Sequence, residues 1–386
     1  MSKKVFVGLS GGVDSATTAY LLKEQGYEVT GVFMKNWSGE DYGVSDQCPW
    51  RRDLDDTIAI CKHLNIEHKT YNFEKEYREL VIEPFFKDYQ SGITPNPDIL
   101  CNKFIKFDMF LNRALAEGAD YIATGHYSKT KDGYLYKAAD PNKDQTYFLY
   151  QLTDKQLEKV LFPLADIHKP QVREIARKAS LPVSEKKDSQ GICFVGKVDV
   201  EDFIRSVIPD KKGEFRDIVT DKVLGYHNGH WLYTIGQRKG IRIGGGHKPY
   251  FVCNKESQKN IVYLAEGKEH NTLWGQSVIL KDLHIINHND IETYKHNSSS
   301  TKTLNEIGQK QSGQEVNEKL DHIANLTGTV RYRTKDTPCT LYYDKISSRY
   351  QVIFDQKQWA PAPGQSCVLF DGQKCIGGGQ IESVMV

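Results

Sequence analysis

The N-terminal 200 residues alternate short apolar runs with amphipathic stretches of helical length, and this alternation restricts the fold more than any other feature of the chain. The predicted strands cover residues 4–9, 28–34, 68–73 and 120–126. The predicted helices cover residues 14–25, 53–64, 74–89 and 102–117. In the second helix, the residues expected to face the core are Ile58, Ile60, Cys61 and Leu64. Strands that alternate with helices form βαβ units, so the sequence predicts an α/β domain with a parallel sheet.

The pattern changes near residue 205, where short strands, glycines and aromatic residues replace the strand–helix alternation. Period-two alternation returns at Leu326 and is typical of a small antiparallel barrel. A length of 386 residues fits about two to three domains. We therefore predict a Rossmann-like α/β domain over 1–204, a small β-rich domain over 205–272 and a C-terminal antiparallel β-barrel over 273–386. The polar, low-complexity stretch at about 285–325 is expected to be a flexible insertion in the barrel.

The composition argues against several classes of protein. Lys and Arg number 51 and Asp and Glu number 50, so the formal net charge of +1 does not fit a uniformly cationic nucleic-acid binder. No apolar run approaches the roughly 20 residues that span a membrane. None of the eight cysteines forms C-x-x-C, so the sequence contains neither a zinc-ribbon nor a thioredoxin-type motif. Scattered cysteines in a chain of this size are typical of a reducing compartment. We expect a cytoplasmic monomer with no membrane partner and no metal site of its own.

The motif SGGVDS (residues 10–15) lies where the first predicted strand ends and the first helix begins. Its two consecutive glycines let the backbone approach a phosphate closely, and the helix N-terminus offers free N–H groups and a partial positive charge. The motif lacks the lysine of a Walker A loop and the spacing of a dinucleotide-binding loop. The alternative to phosphate binding is that the glycine-rich loop only caps the N-terminus of the helix. The complete motif after an apolar strand favours phosphate binding, with Asp14 as a candidate oxygen ligand for Mg²⁺.

Two cysteines lie in unusual surroundings. Cys101 follows the proline-rich segment TPNPDIL and is predicted to lie at the start of the helix over 102–117. A helix N-terminus and two nearby lysines would stabilise a thiolate, and Asp98 is close enough in sequence to act as an acid or base. Cys193 lies much further along, in DSQGICF. Taken singly, each is also consistent with a buried structural cysteine.

These motifs occur together in one family. SGGVDS resembles the PP-loop of ATP pyrophosphatases, and its combination with TPNPDILCN, ATGHY, KDQTYFL, DSQGICFV, YTIGQRKG and VRYR resembles the tRNA-specific 2-thiouridylase family over about residues 4–250, with weaker matches beyond. The resemblance implies a tRNA sulfurtransferase that adenylates the wobble uridine of tRNA. Sulfur would then pass from a cysteine persulfide to C2, with release of AMP and pyrophosphate. It implies ATP with Mg²⁺, tRNA, and a persulfide donor, either a sulfur-relay protein or a cysteine desulfurase.

The resemblance also assigns site residues. Cys193 would carry the persulfide, and Cys101 would complete sulfur release through a transient Cys101–Cys193 disulfide. The residues that would contact ATP are Gly8, Leu9, Ser10, Gly11, Gly12, Val13, Asp14, Ser15, Met34 and Gly125. The residues that would contact the target uracil are Asn96, Pro97 and Asp98. The residues that would contact the rest of the tRNA are His126, Lys143, Asp144, Gln145, Arg331, Tyr332 and Gln365.

A local basic segment also favours RNA. Residues 205–269 contain twelve Lys and Arg against seven Asp and Glu, and four aromatic residues lie among the cations between positions 230 and 254. Cations neutralise phosphates, and aromatic side chains stack on unpaired bases. A solvated basic face over an ordinary β core is the alternative. Residues 331–333 (RYR) likewise fit either an RNA contact or an edge strand with outward arginines.

Other functions stay open from the residues alone. A PP-loop ligase or amidating synthetase would use the same loop on another acceptor, although no glutaminase-like domain is recognisable. An RNA-binding protein with a vestigial nucleotide loop would bind tRNA without forming AMP. Cluster-dependent thiolases normally present C-x-x-C, which this sequence lacks.

Overall fold

The structure is a computed structural model that describes residues 2–38, 50–187, 200–241, 243–244, 248–290 and 320–385. The chain divides into two compact units. The first unit draws on residues 1–87, 96–209 and 373–375, and the second on residues 88–95, 210–372 and 376–386. Among the described residues, no helix combines the length and the apolar character needed to cross a bilayer.

A five-stranded parallel sheet lies at the centre of the first unit. The strands of this unit are β1 (Lys4–Leu9), β2 (Glu28–Lys35), β3 (Glu67–Asn72), β4 (Tyr121–Ala123), β5 (Lys129–Lys131), β6 (Tyr134–Tyr136) and β7 (Val160–Leu161). The parallel sheet has the order β3-β2-β1-β4-β7, and β5 and β6 form an antiparallel hairpin outside it, in which Tyr136 and Leu135 of β6 also pair with Lys374 and Cys375. The α/β prediction is confirmed. Chain order reverses between β1 and β4, which is where open parallel sheets bind ligands.

α-Helices alternate with these strands along the chain, and several of them contact the sheet. They are α1 (Val13–Glu24), α2 (Trp50–Leu64), α3 (Glu74–Tyr77), α4 (Glu83–Gln90), α5 (Pro97–Leu100), α6 (Phe110–Ala116), α7 (Asp154–Leu157), α8 (Lys169–Lys178) and α9 (Val200–Arg205). π-Helical stretches over Arg78–Ile82 and Cys101–Met109 join α3 to α4 and α5 to α6. The prediction that Ile58 faces the core is wrong: it is 44% exposed, because the buried stripe of α2 runs through Thr57, Ile60, Cys61 and Leu64.

The helix that carries Cys101 begins at Pro97, five residues earlier than predicted. Proline lacks an N–H and has its φ fixed near the helical value, so the second proline of TPNP suits the first helical position. The backbone N–H of Cys101 donates to the carbonyl oxygen of Pro97, so it is already satisfied within the helix. Cys101 therefore lies in the second turn, and the prediction that it begins the helix is wrong. The favourable field of a helix N-terminus falls off within the first turn.

The second unit is built from β-strands. A four-stranded sheet contains β8 (Gly213–Asp217), β9 (Val223–His227), β10 (Tyr250–Glu256) and β11 (Ile261–Glu266), in the order β10-β11-β8-β9. The remaining strands are β12 (Trp274–Ile285), β13 (Leu320–Thr329), β14 (Thr337–Asp344), β15 (Arg349–Trp359), β16 (Ser366–Asp371) and β17 (Lys374–Met385). These six form a closed barrel because β12 pairs with both β15 and β17. The predicted β-rich region and antiparallel barrel are confirmed.

Three expectations about the second unit need correction. Residues 320–325 belong to β13, where Ile323 and Ala324 are buried in the barrel core, so the polar insertion is shorter than predicted at this end. Residues 331–333 lie in the turn after β13, and Arg333 has a positive φ of +61°, which an edge strand does not allow. The predicted stacking aromatics pack internally: Trp231 is 6% exposed and Phe251 contacts the ring of Trp359.

Candidate active site

The SGGVDS loop connects β1 to α1. Gly12 is the N-cap of α1 and has no side chain to cap the first turn. The backbone N–H of Ser10 donates to Oγ of Ser15 at 3.2 Å, and that Oγ lies 3.1 Å from the carbonyl oxygen of Gly12. These bonds fold the loop over the start of α1. First-turn amides without intrahelical partners are the groups that bind an anion at a helix N-terminus.

Glycine is required at two points around this loop. Gly11 has a φ of +66°, and a Cβ there would lie 2.7 Å from the carbonyl oxygen of Asp53. Gly125 follows β4 and approaches α1 so closely that a Cβ would lie 2.7 Å from the backbone nitrogen of Ser15 and 2.8 Å from the carbonyl carbon of Asp14. All three distances are shorter than real Cβ contacts. The segments after β1 and β4 therefore meet at the point where the chain order of the sheet reverses.

Asp14 is held by two partners from distant parts of the first unit. Lys169, the first residue of α8, donates from Nζ to Oδ1 and Oδ2 of Asp14 at 2.7 and 2.8 Å. The hydroxyl of Tyr127 donates to Oδ1 at 2.9 Å. The Lys169 side chain is 10% exposed, so this ion pair is largely shielded from water. The Asp14 carboxylate is therefore paired with the Lys169 ammonium and accepts a hydrogen bond from the Tyr127 hydroxyl.

A second lysine holds the backbone of the loop. Lys186 donates from Nζ to the carbonyl oxygen of Gly11 at 3.0 Å, to Asp53 at 2.8 Å and to Asp56 at 2.6 Å. Burial lowers the pKa of Lys186, but the hydrogen bonds to Asp53 and Asp56 outweigh burial, and the net pKa is raised. Lys186 is therefore a stable cation that ties the loop to α2.

The apolar residues assigned to ATP are buried. Leu9 is 1% exposed, Val13 is 4% exposed and Met34 is 5% exposed. A Cβ on Gly8 would lie 3.1 Å from the methyl carbon of Met34, so these residues pack in the core. A contact between ATP and these positions would have to use backbone atoms. Asn36, just beyond β2, is 1% exposed, and neither polar atom of its side chain has a hydrogen-bond partner in the described structure.

The Cys101 side chain is fully buried, with 0% exposure. The next residue, Asn102, donates to the carbonyl oxygen of Phe148 at 3.1 Å and accepts a hydrogen bond from Lys106 at 3.1 Å. The residues assigned to the target base, Asn96, Pro97 and Asp98, form the N-cap and first turn of the same helix and are half-buried. Cys193 lies outside the described residues.

Four further cysteines in the described part of the chain have raised thiol pKa values and are poor nucleophiles. Burial raises the pKa of Cys61 and Cys253 to about 11 and that of Cys339 to about 12. Burial also raises the pKa of Cys367 well above its ordinary value. Since the thiolate is the reactive form, these four cysteines are protonated at neutral pH and serve as packing groups.

His126 is a buried, neutral histidine. Its Nε2 lies 3.4 Å from Nζ of Lys106 and its Nδ1 lies 2.8 Å from Oγ1 of Thr124. An ammonium can only donate, so Nε2 accepts and Nδ1 carries the proton. Burial, and then the charge of Lys106, hold the pKa of His126 well below 6.5. His126 therefore offers no positive charge to a phosphate at neutral pH.

The burial of His126 predicts acid-sensitive folding. Its neutral form is favoured in the folded state, so the unfolded chain binds more protons below pH 6.5 and stability falls as the pH drops. We expect His126 to contribute a slope of up to about 1.4 kcal/mol per pH unit below pH 6.5. Urea unfolding between pH 5 and 8 should show a shallower slope for His126→Asn than for the wild type. The exposed His288→Asn is the control, and equal slopes for wild type and His126→Asn would contradict the assignment.

Two of the other residues assigned to tRNA make internal hydrogen bonds. Oδ1 of Asp144 accepts from the backbone N–H of Ala138 at 2.9 Å and from Oγ1 of Thr146 at 2.7 Å, and burial raises the pKa of Asp144. The side-chain oxygen of Gln145 accepts from the backbone N–H of Tyr127 at 3.0 Å. Lys143 is half-buried in the same turn. Asp144 and Gln145 therefore shape the turn that follows β6.

The residues assigned to tRNA in the second unit lie in turns. The carbonyl oxygen of Arg331 accepts from the hydroxyls of Thr329 and Thr334 at 2.9 and 2.7 Å, which fixes the turn that presents Arg331 and Tyr332. The side chain of Gln365 donates to the carbonyl oxygen of Thr94 at 3.0 Å. Gln365 therefore holds the segment that immediately precedes Asn96 in the chain.

Some cations of the basic segment form ion pairs with its own acids. Arg216 pairs with Glu214 and Asp221, both at 2.8 Å, and Lys248 pairs with Glu269. Burial lowers the pKa of Lys255 to about 8. Arg238 and Lys239 are exposed. The excess of cations over acids in residues 205–269 already counts these acids, so the ion pairs show which cations are paired without lowering the net charge of the segment.

Sequence reasoning missed Lys169, Lys186 and Tyr127. Lys169 lies far from Asp14 in the sequence and reaches it only because α8 packs against α1. Lys186 lies in a turn whose residues carry no recognisable motif. In the sequence, the only indication that another segment supplies the cations at this loop was the absence of a lysine from SGGVDS.

A parallel sheet with a glycine-rich loop after β1, at the reversal of chain order, defines a PP-loop nucleotide-binding α/β domain. A family model described as "tRNA methyl transferase HUP domain" matches residues 3–197. Models described as "tRNA methyl transferase PRC-barrel domain" and "Aminomethyltransferase beta-barrel domain" match residues 201–266 and 308–381. The chain belongs to the tRNA-specific 2-thiouridylase family.

Three relatives illustrate this membership. The tRNA-specific 2-thiouridylase MnmA of Methylobacillus flagellatus is 42% identical over 394 residues, covering 100% of each chain. Its namesake from Pediococcus pentosaceus is 41% identical, covering 98% of this chain and 95% of the relative. The tRNA-specific 2-thiouridylase MnmA of Pseudomonas fluorescens is 42% identical, covering 98% of this chain and 95% of the relative. Similarity at this level extends through both units.

Proposed function

We propose that the chain converts the wobble uridine of tRNA to 2-thiouridine, using ATP to activate C2 and a cysteine persulfide to supply the sulfur. As a member of its family it is a tRNA sulfurtransferase. The observation that carries the proposal is the close approach of Gly125 to the first turn of α1, beside the SGGVDS loop. This approach would complete an anion-binding surface, and the full-length relatives of this chain are named 2-thiouridylases.

ATP is a substrate in this proposal, and the loop fits its phosphates. The uncapped first turn of α1 supplies N–H donors, Gly11 and Gly12 permit close approach, and Lys169 and Lys186 supply positive charge. Adenosine would contact backbone atoms near Met34 and Gly125. Mg²⁺ would accompany ATP on its phosphate oxygens, because Asp14, Asp53 and Asp56 are already paired with lysines.

Adenylation requires the uridine to reach the bound nucleotide. Enzymes that modify a base take it out of the stack, and Asn96, Pro97 and Asp98 would hold the extruded uracil. O2 of the uracil attacks the α-phosphorus of ATP, the bond to the β-phosphate breaks, and pyrophosphate leaves. The C2–O bond then carries AMP as a leaving group. Asp98 would take up or return a proton at the base.

Sulfur transfer then uses the two cysteines assigned by family resemblance. The outer sulfur of the Cys193 persulfide bonds to C2, and AMP leaves with the C2–O electron pair. The Cys101 thiolate attacks the Cys193 sulfur, which breaks the persulfide bond and leaves the thiocarbonyl on C2. The resulting Cys101–Cys193 disulfide needs two electrons from an external thiol before the next turnover. Cys101 is itself fully buried, so its choice among the described thiols rests on the family resemblance and on its place two residues after Ile99, in the helix that begins with Pro97 and Asp98.

The remaining assignments complete the proposal. His126, Lys143, Asp144, Gln145, Arg331, Tyr332 and Gln365 would act at the tRNA interface, and the internal bonds of Asp144, Gln145 and Gln365 favour positioning roles for these three. The domain proposed at 1–204 would carry catalysis and part of the tRNA interface, and the domains proposed at 205–272 and 273–386 would add further tRNA contacts. A sulfur-relay protein or cysteine desulfurase would load Cys193, and the reaction would take place in the cytoplasm.

A reconstituted reaction tests the proposal. Purified protein is incubated with an unmodified tRNA transcript, ATP, Mg²⁺ and a persulfide donor, and AMP and 2-thiouridine are measured by chromatography and mass spectrometry. We expect both products, each dependent on tRNA. AMP with incorporation of an amine would favour an amidating synthetase. Binding of tRNA without AMP would favour an RNA-binding protein with an inactive loop.

A further inference from the structure

The chain enters the proposed uracil-binding residues, 96–98, from a segment that belongs to the other compact unit. Residues 88–95 belong to the second unit, whereas the residues on either side of them belong to the first. We propose that Gln365 is a positioning residue for the target base, which anchors the end of this segment and thereby fixes the direction in which the chain continues into residues 96–98. The inference deepens the proposed function and rests on the assignment of residues 96–98 to the uracil. It gives Gln365 a part in the rate of thiolation instead of a contact with tRNA.

The side-chain amide of Gln365 donates to the backbone at the end of this segment. Its Nε2 donates to the carbonyl oxygen of Thr94 at 3.0 Å and to that of Pro95 at 3.4 Å. A carboxamide nitrogen has two N–H donors, so these two carbonyl groups account for both of them. The carbonyl group of Pro95 lies in the same planar peptide unit as the backbone nitrogen of Asn96. Holding that carbonyl therefore restricts the backbone rotation that sets the direction of Asn96.

The turn that carries Gln365 is fixed to the barrel and packs directly on the segment. The carbonyl oxygen of Gln365 accepts from the backbone N–H of Ile381, in β17, at 2.8 Å, and the N–H of Gly364 donates to the carbonyl oxygen of Ile381 at 2.9 Å. The N–H of Thr94 donates to the carbonyl oxygen of Pro363 at 3.3 Å. A Cβ on Gly364 would lie 2.7 Å from the carbonyl oxygen of Thr94, so the two backbones are in close contact. The anchor is therefore rigid.

Two other side-chain contacts within the second unit hold the same segment. Oγ of Ser257 donates to the carbonyl oxygen of Ser91 at 3.2 Å, and Oγ1 of Thr94 donates to Oγ1 of Thr234 at 3.4 Å. Thr94 is 8% exposed, so its bonds are shielded from water. Loss of the Gln365 amide should therefore free the end of the segment at Pro95 while the preceding residues stay in place.

Loss of this anchor is expected to slow thiolation without weakening the binding of either substrate. Methionine at position 365 keeps a side chain of similar length but has no N–H to donate. Because displacement of a reacting group by about 1 Å can cost on the order of 100-fold in rate, we expect Gln365→Met to lower the single-turnover rate at saturating tRNA about tenfold to 100-fold. The Kd for tRNA, measured by filter binding, and the Kd for ATP, measured by calorimetry, should match those of the wild type.

Gln356→Met is the matched control. Gln356 is exposed on β15, so the same chemical change is made in the barrel away from the segment, and all three quantities should stay at wild-type values. Circular dichroism checks that each variant folds. Gln365→Glu is a second variant of nearly the same shape whose carboxylate cannot donate, and it decides the question where Gln365→Met does not fold.

The split between rate and affinity separates positioning from direct contact with tRNA. A lower rate at saturating tRNA with a wild-type Kd for tRNA supports the inference. A wild-type rate, or a Kd for tRNA that weakens as much as the rate falls, overturns it and returns Gln365 to the tRNA interface. Absence of thiolation by the wild-type chain would instead contradict the proposed function, and the inference with it.

Discussion

Serine at position 101 is expected to abolish 2-thiouridine formation while ATP binding survives. The Cys101 side chain is fully buried, and serine is of similar size, so the fold should lose only the cost of placing a hydroxyl there, about 1–3 kcal/mol. Serine cannot attack the persulfide at neutral pH, so the thiocarbonyl would not be released. Cys193→Ser should have the same effect because it removes the sulfur carrier. Thiolation is measured by mass spectrometry of tRNA nucleosides, and ATP binding by calorimetry.

The matched control for Cys101→Ser is Cys61→Ser. Cys61 is also buried in the first unit, at 2% exposure, and burial raises the pKa of its thiol to about 11. The control therefore makes the same chemical change at a cysteine to which we assign no chemistry, and it should retain thiolation. Normal thiouridine levels with Cys101→Ser would contradict the role of Cys101. Loss of ATP binding in Cys101→Ser would show that the substitution damages the fold.

Alanine at position 125 is expected to disrupt the nucleotide site. Its Cβ would lie 2.7 Å from the backbone nitrogen of Ser15, and neither backbone segment can move away as a flexible side chain can. Overpacking of this kind costs about 1–3 kcal/mol of folding free energy. Displacement of α1 by even about 1 Å would lower the rate on the order of 100-fold, because the reacting groups would be misaligned. Urea unfolding, ATP titration and the thiolation rate measure the three effects.

Gly244→Ala is the control for this substitution. Gly244 is exposed and a Cβ there would meet no atom within 4 Å, so the change adds a methyl group without a clash. It should preserve stability, ATP affinity and thiolation. Wild-type behaviour of Gly125→Ala would mean that the close approach of the β4 segment to α1 is not required for the site.

The strands and the phosphate loop were predictable because their signals are local. β1 is a continuous apolar run, and SGGVDS follows it directly, so strand, loop and helix were readable within one stretch of the chain. The boundary at Pro97 was missed because proline restricts a loop and also begins a helix, and only the packed structure selects between the two. The turn at residues 331–333 was missed because its alternation matches that of a strand.

The electrostatics of the site were not predictable from the sequence. Lys169 and Lys186 reach the loop through the packing of α8 and the following turn, and no spacing rule links them to Asp14 or Gly11. The net charge of residues 205–269 did not show which cations are paired, since ion pairs such as Arg216 with Glu214 form only in the folded sheet. Local patterns predicted the elements, whereas the partners of each charge depended on the tertiary structure.

The central claim is that this chain installs sulfur at C2 of the wobble uridine. The most direct measurement is mass spectrometry of tRNA nucleosides from a bacterial strain that lacks its own 2-thiouridylase and expresses this chain. We predict that the wild-type chain restores 2-thiouridine derivatives and that Cys193→Ser, expressed at the same level, does not. Absence of thiolated uridine with the wild-type chain, or equal thiolation with Cys193→Ser, would contradict the account.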